Sequence, residues 1–132
     1  MKTTHFDTEL SHTEISDYLN VENKYDIKIF NEIDSTNTHL KNLANNGANE
    51  WTVLLAEHQT AGKGRLSRTF VSPRNTGIYM SFLVRPVLSA PELSVSNSVL
   101  LTTCAAVAVY EAIKSVTNKE TAIKWVNDLY YK

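Results

Sequence analysis

Apolar residues along this chain recur in two rhythms, one with the spacing of a helix face and one with the alternation of a strand. In residues 10–19, Ile15, Tyr18 and Leu19 share a helical face. Ser11 and Glu14 stand ahead of them in capping-box spacing, and Leu10 with Ile15 makes a hydrophobic staple, which predicts a short amphipathic helix. Ile27, Ile29 and Ile33 share one parity and predict a strand over Tyr25 to Ile33. Asp34-Ser35-Thr36-Asn37 is rich in N-cap formers, and Leu40, Leu43 and Ala44 then recur at helical spacing up to Asn46-Gly47, a pair suited to a left-handed helix end. Trp51 to Ala56 and Ile78 to Val84 are short apolar runs expected to be buried strands. The polar stretch from Glu57 to Gly77 between them is expected to be a long loop with little structure of its own, the usual form of a binding segment.

Pro86 closes the second of these strands, and Ser89 with Glu92, and Pro91 inside the first turn, opens a helix from about Glu92 to Val116. That helix is apolar on most sides, so it is expected to be the central core helix. Its most apolar run, Val99 to Val109, is well short of what crosses a bilayer. Ala122 to Val126 and Leu129 to Lys132 read as two short strands around Asn127-Asp128 as a two-residue turn. The order of elements predicts an α+β fold, a mixed sheet with packed helices.

Composition narrows the picture without identifying it. The chain has 132 residues, 42% hydrophobic and 20% charged, enough for one ordinary soluble domain. Thirteen basic against fourteen acidic residues leave a net charge of -1, so bulk charge argues for neither a nucleic-acid nor a membrane partner. The N-terminus lacks the apolar stretch of a secretory signal, and the single cysteine, Cys104, excludes an internal disulfide; cytoplasm is the expected compartment.

Charge becomes informative locally. No acidic residue falls between Glu57 and Glu92, whereas Lys63, Arg65, Arg68, Arg74 and Arg85 all do. Gly62 and Gly64 flank the first of these cations. Glycines there permit close approach and positive φ, letting main-chain N–H groups face an anion, while the cations supply charge. Neither the spacing of a nucleotide P-loop nor that of a dinucleotide-binding turn is present, so the anion is not fixed by this pattern, and a solvated basic loop has the same composition.

Three ordered blocks make the pattern specific: Asp34-Ser35-Thr36-Asn37 after a strand, Ala56-Glu57-His58-Gln59-Thr60-Ala61-Gly62-Lys63-Gly64-Arg65, and Lys124-Trp125-Val126-Asn127-Asp128-Leu129. Together with Ser72-Pro73 and Gly77-Ile78-Tyr79-Met80-Ser81 they resemble the biotin protein ligases, over about Tyr25 to Lys132. The resemblance implies the fold shared by class II aminoacyl-tRNA synthetases and biotin protein ligases. It implies ATP-dependent formation of biotinyl-5'-AMP and transfer of biotin to a lysine of a biotin carboxyl carrier protein, without a covalent enzyme intermediate.

Carried over residue by residue, the resemblance implies that Ser35, Thr36, Asn37, Gln59, Gly62 and Arg65 bind biotin. Lys63, Gly64, Arg68, Lys124, Trp125 and Asn127 would bind ATP or the adenylate, with Arg65 and Lys63 acting in catalysis on the loop that closes over it. Asp128 and Asn127 would hold Mg2+ through the nucleotide. Elementary chemistry agrees: hydroxyls and an amide at a helix start can hydrogen-bond a neutral ureido group, and loop cations can offset charge on the α-phosphate.

The chain departs from the family in places. Lys63 stands for an arginine, Ser67 for a glycine, Phe70 for a tryptophan and Val126 for a proline. Lysine keeps the charge but loses the planar fork. The family continues beyond Lys132 into a strand with a further lysine, more strands and a small C-terminal domain. The chain is therefore expected to be truncated, its last strand edge unpaired, with little or no ligase turnover alone and a tendency to borrow a neighbouring strand; a homodimer is compatible with this. Residues 1–24 are expected to be an N-terminal helix and linker and 25–132 a C-terminally incomplete catalytic domain, with no DNA-binding domain in this chain. Two alternatives differ in class: a lipoate or octanoate ligase of the same fold, and a non-catalytic ligand-binding fragment. Cys104 is read as a structural thiol, His58 as a solvated or hydrogen-bonded histidine, and His5, His12 and His39 lack ligand spacing.

Overall fold

The structure is a computed structural model that describes residues 10–19, 24–85 and 98–131. These fall into two compact units, one ending at Val84 and the other starting at Arg85.

The first unit carries α1 (His12–Leu19), β1 (Asp26–Phe30), α2 (Thr36–Asn45), β2 (Thr52–Ala56) and β3 (Tyr79–Phe82). The expected cap of α1 forms: Glu14 N–H donates to Ser11 Oγ at 3.3 Å and Ile15 N–H to Ser11 O at 3.1 Å. β2 is the middle strand, parallel to β1 with Ile27 opposite Val53 and Ile29 opposite Leu55, and antiparallel to β3 with Leu55 opposite Met80 and Ala56 opposite Tyr79. All five residues of β2 are buried. A strand covered on both faces needs apolar side chains at every position, which is why Val53-Leu54-Leu55-Ala56 runs without alternation. Burying Leu54 completely is worth about 1.5–3 kcal/mol. Thr52 is tolerated there because its Oγ1 donates to Asn49 O at 2.8 Å.

Strand edges differ from the periodicity for local reasons. Trp51, expected to open β2, has φ 67 and lies outside the strand, its ring edge-on to Tyr25 at 6.1 Å. β1 stops at Phe30, and Ile33 rejoins the sheet as an isolated parallel bridge to Gln59 after a bend at Asn31-Glu32. The buried set Ile33, Ala56 and Tyr79, with Phe30 against it, forms the core beneath this junction.

α2 closes as expected. Gly47, with φ 86, donates to Ala44 O at 3.3 Å, and Ala48 N–H reaches back to Leu43 O at 2.9 Å, the paired bonds of a Schellman end.

The second unit holds α3 (Ser98–Thr117), β4 (Ala122–Lys124) and β5 (Asp128–Tyr130). β4 and β5 pair antiparallel, Lys124 opposite Asp128, so the turn is the three residues Trp125, Val126 and Asn127 and not the expected Asn127-Asp128 pair. The hairpin packs on α3 but is too short to cover it: Ala106 is buried, while Leu100, Val107, Val109 and Val116 are exposed, so the hairpin alone does not make α3 a central core helix. The apolar stretch also runs further than expected, Leu100–Thr117 being long and apolar enough to cross a membrane by length and composition alone. The expected closure at Pro86 and the capping box of Ser89 and Glu92 lie outside the described residues.

Candidate functional site

The first turn of α2 is the fixed point of the site. Ser35, fully extended at φ -161, is the N-cap, and its Oγ accepts from Thr38 N–H at 3.4 Å. Both Ser35 and Thr36 are buried. Thr36 N–H is one of the helix's orphan donors, and it is satisfied from far along the chain: Gln59 Oε1 accepts from it at 2.8 Å and from Thr36 Oγ1 at 3.1 Å. Gln59 Nε2 in turn donates to Ser72 Oγ at 2.9 Å, and Ser72 Oγ donates to Phe70 O at 3.2 Å. On the other side, Ser81 Oγ lies 2.9 Å from both Thr36 Oγ1 and Asn37 Oδ1.

The backbone around Gln59 is laced to the segment before α2. Ile33 N–H donates to His58 O at 3.2 Å, Thr60 N–H to Ile33 O at 2.9 Å and Ala61 N–H to Asp34 O at 2.8 Å. The segment expected to lack structure therefore folds. It doubles back on itself through bridges Gln59 to Ser72 and Lys63 to Thr69, around a 3-10 turn at Arg65–Ser67. Gly64 N–H to Arg68 O at 2.8 Å and Phe70 N–H to Gly62 O at 2.9 Å hold the two limbs together.

This geometry changes the role of the glycines. Neither Gly62 nor Gly64 has the positive φ expected of it; Leu66 at 53 and Ser67 at 60 take the left-handed conformation instead. Gly62 is required for space. A Cβ there would collide with Phe70 O and stand 2.8 Å from Ser72 Oγ and 3.2 Å from Gln59 Nε2, whereas at Gly64 the nearest atom, Arg68 O, is 3.2 Å away. Close backbone approach is the property these glycines provide.

Of the residues singled out from sequence, Ser35, Thr36, Asn37, Gln59 and Gly62 are thus brought together. Arg65 sits in the 3-10 turn, and Lys63 and Arg68 are exposed on the loop limbs beside it. Beneath the loop, His58, Gln59, Thr60 and Thr69 to Pro73 line an open recess of about 380 Å³. Ser72 and Ser81, both buried and bonded into the network, were not among the expected site residues. A signal for Ser81 existed: it is a polar residue on the buried face of β3, alternating with Tyr79.

Lys124, Trp125, Asn127 and Asp128 come together on the β4–β5 hairpin, with Trp125 74% exposed at the turn. Among the described residues no group of three or more His, Cys, Asp or Glu could hold a metal ion. One carboxylate and one amide suit a cation shared with phosphate oxygens and not an all-protein cage. Elsewhere, His58 Nδ1 pairs with Glu32 Oε2 at 2.9 Å, the hydrogen-bonded histidine expected, and Cys104 is exposed on α3.

The sequence matches the biotin/lipoate A/B protein ligase family over residues 29–132. It is 37% identical over 122 residues to the bifunctional ligase/repressor BirA of Bacillus subtilis, covering 92% of this chain and 36% of that protein. To the bifunctional ligase/repressor BirA of Bacillus spizizenii it is 41% identical over 97 residues, 74% of this chain and 28% of the relative. The biotin protein ligase of Aquifex aeolicus in complex with biotin and ATP superposes with a TM-score of 0.68 at 32% identity, over 81% of this chain and 42% of that one. The chain thus spans between 28% and 36% of the length of these curated relatives. With the family matched across most of its length, the chain belongs to the biotin/lipoate A/B protein ligase family.

Proposed function

We propose that this chain binds biotin at the start of α2 and serves a biotin protein ligase reaction, forming biotinyl-5'-AMP and passing biotin to a lysine of a carrier protein. The observation that carries the reading is the union of Thr36, Gln59 and Gly62 into one hydrogen-bonded, close-packed site. A neutral, doubly N–H-bearing ureido ring needs a mixed set of donors and acceptors at fixed positions, and the buried hydroxyls around Thr36, with the more accessible amides of Asn37 and Gln59, provide such a set. The Aquifex aeolicus neighbour, whose structure holds biotin and ATP, supports the same reading.

In the proposed reaction the biotin carboxylate attacks the α-phosphorus of ATP, the bond to pyrophosphate breaks, and a carrier lysine later attacks the mixed anhydride and releases AMP. Arg65 and Lys63 would place positive charge beside the phosphate as negative charge builds there. Lys124, Trp125 and Asn127 would hold the nucleotide, with Arg68 and Gly64 on the loop. Asp128 and Asn127 fit a Mg2+ held jointly with the nucleotide, which would neutralise phosphate charge.

Calorimetric titration of this chain with biotin and, separately, with lipoate tests the reading. Biotin is expected to bind and lipoate to fail. Binding of lipoate in preference to biotin would overturn it. Pyrophosphate release with biotin and ATP then reports whether the chain turns over by itself.

A further inference from the structure

The hydroxyl of Ser81 lies 2.9 Å from Thr36 Oγ1 and 2.9 Å from Asn37 Oδ1, yet it carries one proton. Counting protons along the chain of bonds decides where that proton goes. Thr36 N–H can only donate, so the group 2.8 Å from it must be the oxygen of Gln59, which turns Nε2 toward Ser72. Gln59 Oε1 can only accept, so the 3.1 Å contact with Thr36 Oγ1 uses the single hydroxyl proton of Thr36. Thr36 Oγ1 must then accept from Ser81, and Ser81 has no proton left for Asn37. With Asn37 Oδ1 toward it, two acceptors would face each other. The two ends of an amide have the same shape, and turning Asn37 over presents Nδ2 as a donor instead.

We infer that Asn37 Nδ2 donates to Ser81, so that the chain Asn37 to Ser81 to Thr36 to Gln59 runs in one direction. Ser81 is then a positioning residue that turns the Asn37 carbonyl oxygen outward as an acceptor for a ligand N–H. The opposite direction would leave Thr36 Oγ1 and Gln59 Oε1 as facing acceptors at 3.1 Å, and would show the ligand an NH2 group. The ligand side of this inference rests on the biotin reading above, since a ureido ring brings N–H donors; the direction of the chain rests on the protein alone.

The test uses the 15N-labelled chain in two parts. Without ligand, one Asn37 side-chain amide proton should exchange at least about tenfold more slowly than that of an asparagine with no hydrogen-bond partner, because it is held in a hydrogen bond. Ser81→Ala should abolish that protection while the Gln59 amide, held by Ser72, keeps its own. In biotin titrations, Asn37→Asp keeps the shape but removes the donor, and it and Ser81→Ala should each weaken binding about tenfold, the worth of one hydrogen bond. Ser81→Thr, which retains the hydroxyl, should bind within about threefold of the parent, the loss being below that of one hydrogen bond. Unprotected Asn37 amide protons in the parent chain, or undiminished biotin binding by Asn37→Asp, would overturn the inference. A protected Asn37 amide in a chain that binds no biotin would uphold the direction of the chain and overturn the biotin reading instead.

Discussion

Gln59 Oε1 accepts both the backbone N–H of Thr36, at 2.8 Å, and its hydroxyl, at 3.1 Å. One side-chain oxygen thereby caps the first turn of α2 and anchors the segment that follows β2. Helix start and loop base are hydrogen-bonded to each other, which is what a site with several hydrogen-bonding groups at fixed spacing requires.

Gln59→Ala should therefore destabilise the chain, because it strands the Thr36 N–H and leaves Ser72 Oγ without its donor. About 1–3 kcal/mol is expected from a buried donor left unsatisfied, read as a shift of the urea midpoint. Gln59→Glu still accepts from Thr36 at a helix N-terminus and should lose less than the alanine variant. Equal stability of parent and Gln59→Ala would mean that the bond network carries no load.

The two loop glycines should respond differently to the same change. At Gly62 the added carbon meets the Phe70 carbonyl, a backbone atom that can move only by opening the loop, and Gly62→Ala is expected to cost about 1–3 kcal/mol as an overpacked site does. At Gly64 the nearest atom stands 3.2 Å away, so Gly64→Ala should be milder. Paired denaturation curves compare them. A larger loss at Gly64 would contradict the packing seen here.

Ser67 occupies a left-handed conformation, φ 60, without being glycine. A side chain there costs about 1–2 kcal/mol relative to glycine, offset in part by the extra freedom glycine has in the unfolded chain. Ser67→Gly should raise stability by about 0.5–1 kcal/mol, visible in the thermal midpoint. A lowered midpoint would show that the serine is held by something other than its backbone.

How far the sequence could be read depended on whether the information was local. The cap at Ser35, the left-handed end at Gly47 and the apolar run of β2 are set by neighbours in sequence, and they formed as expected. The resemblance assembled Thr36, Gln59 and Gly62 correctly as neighbours. What escaped was tertiary. Ser81 joins Thr36 across 45 residues, and Ser72 joins Gln59 across 13, links that no local pattern announces. The φ angles of Gly62 and Gly64 also escaped, because a glycine signals either a positive φ or a missing Cβ, and only the surrounding atoms show which. The hairpin turn was misplaced because Asn127-Asp128 has ideal turn chemistry, yet the pairing of Lys124 with Asp128 draws Asp128 into the strand.

That pairing bears on the proposed nucleotide contact. Lys124 and Asp128 are direct cross-strand partners, so their side chains leave the hairpin on the same face, cation beside carboxylate. If Asp128 shares Mg2+ with the nucleotide as proposed above, Lys124 beside it would hold the polyphosphate by a second kind of contact. Lys124→Ala should weaken ATP binding in the presence of Mg2+ by about tenfold or more, the loss of one charge-assisted hydrogen bond of about 1.5–3 kcal/mol. Lys119, whose Nζ lies 5.1 Å from the centre of the Tyr131 ring, provides a control of equal charge in the same unit. Lys119→Ala should leave ATP affinity unchanged, whereas Asp128→Asn should reduce it only when Mg2+ is present. Calorimetry of the three variants with and without Mg2+ makes the comparison; equal losses for Lys119→Ala and Lys124→Ala would reduce the hairpin's role to general surface charge.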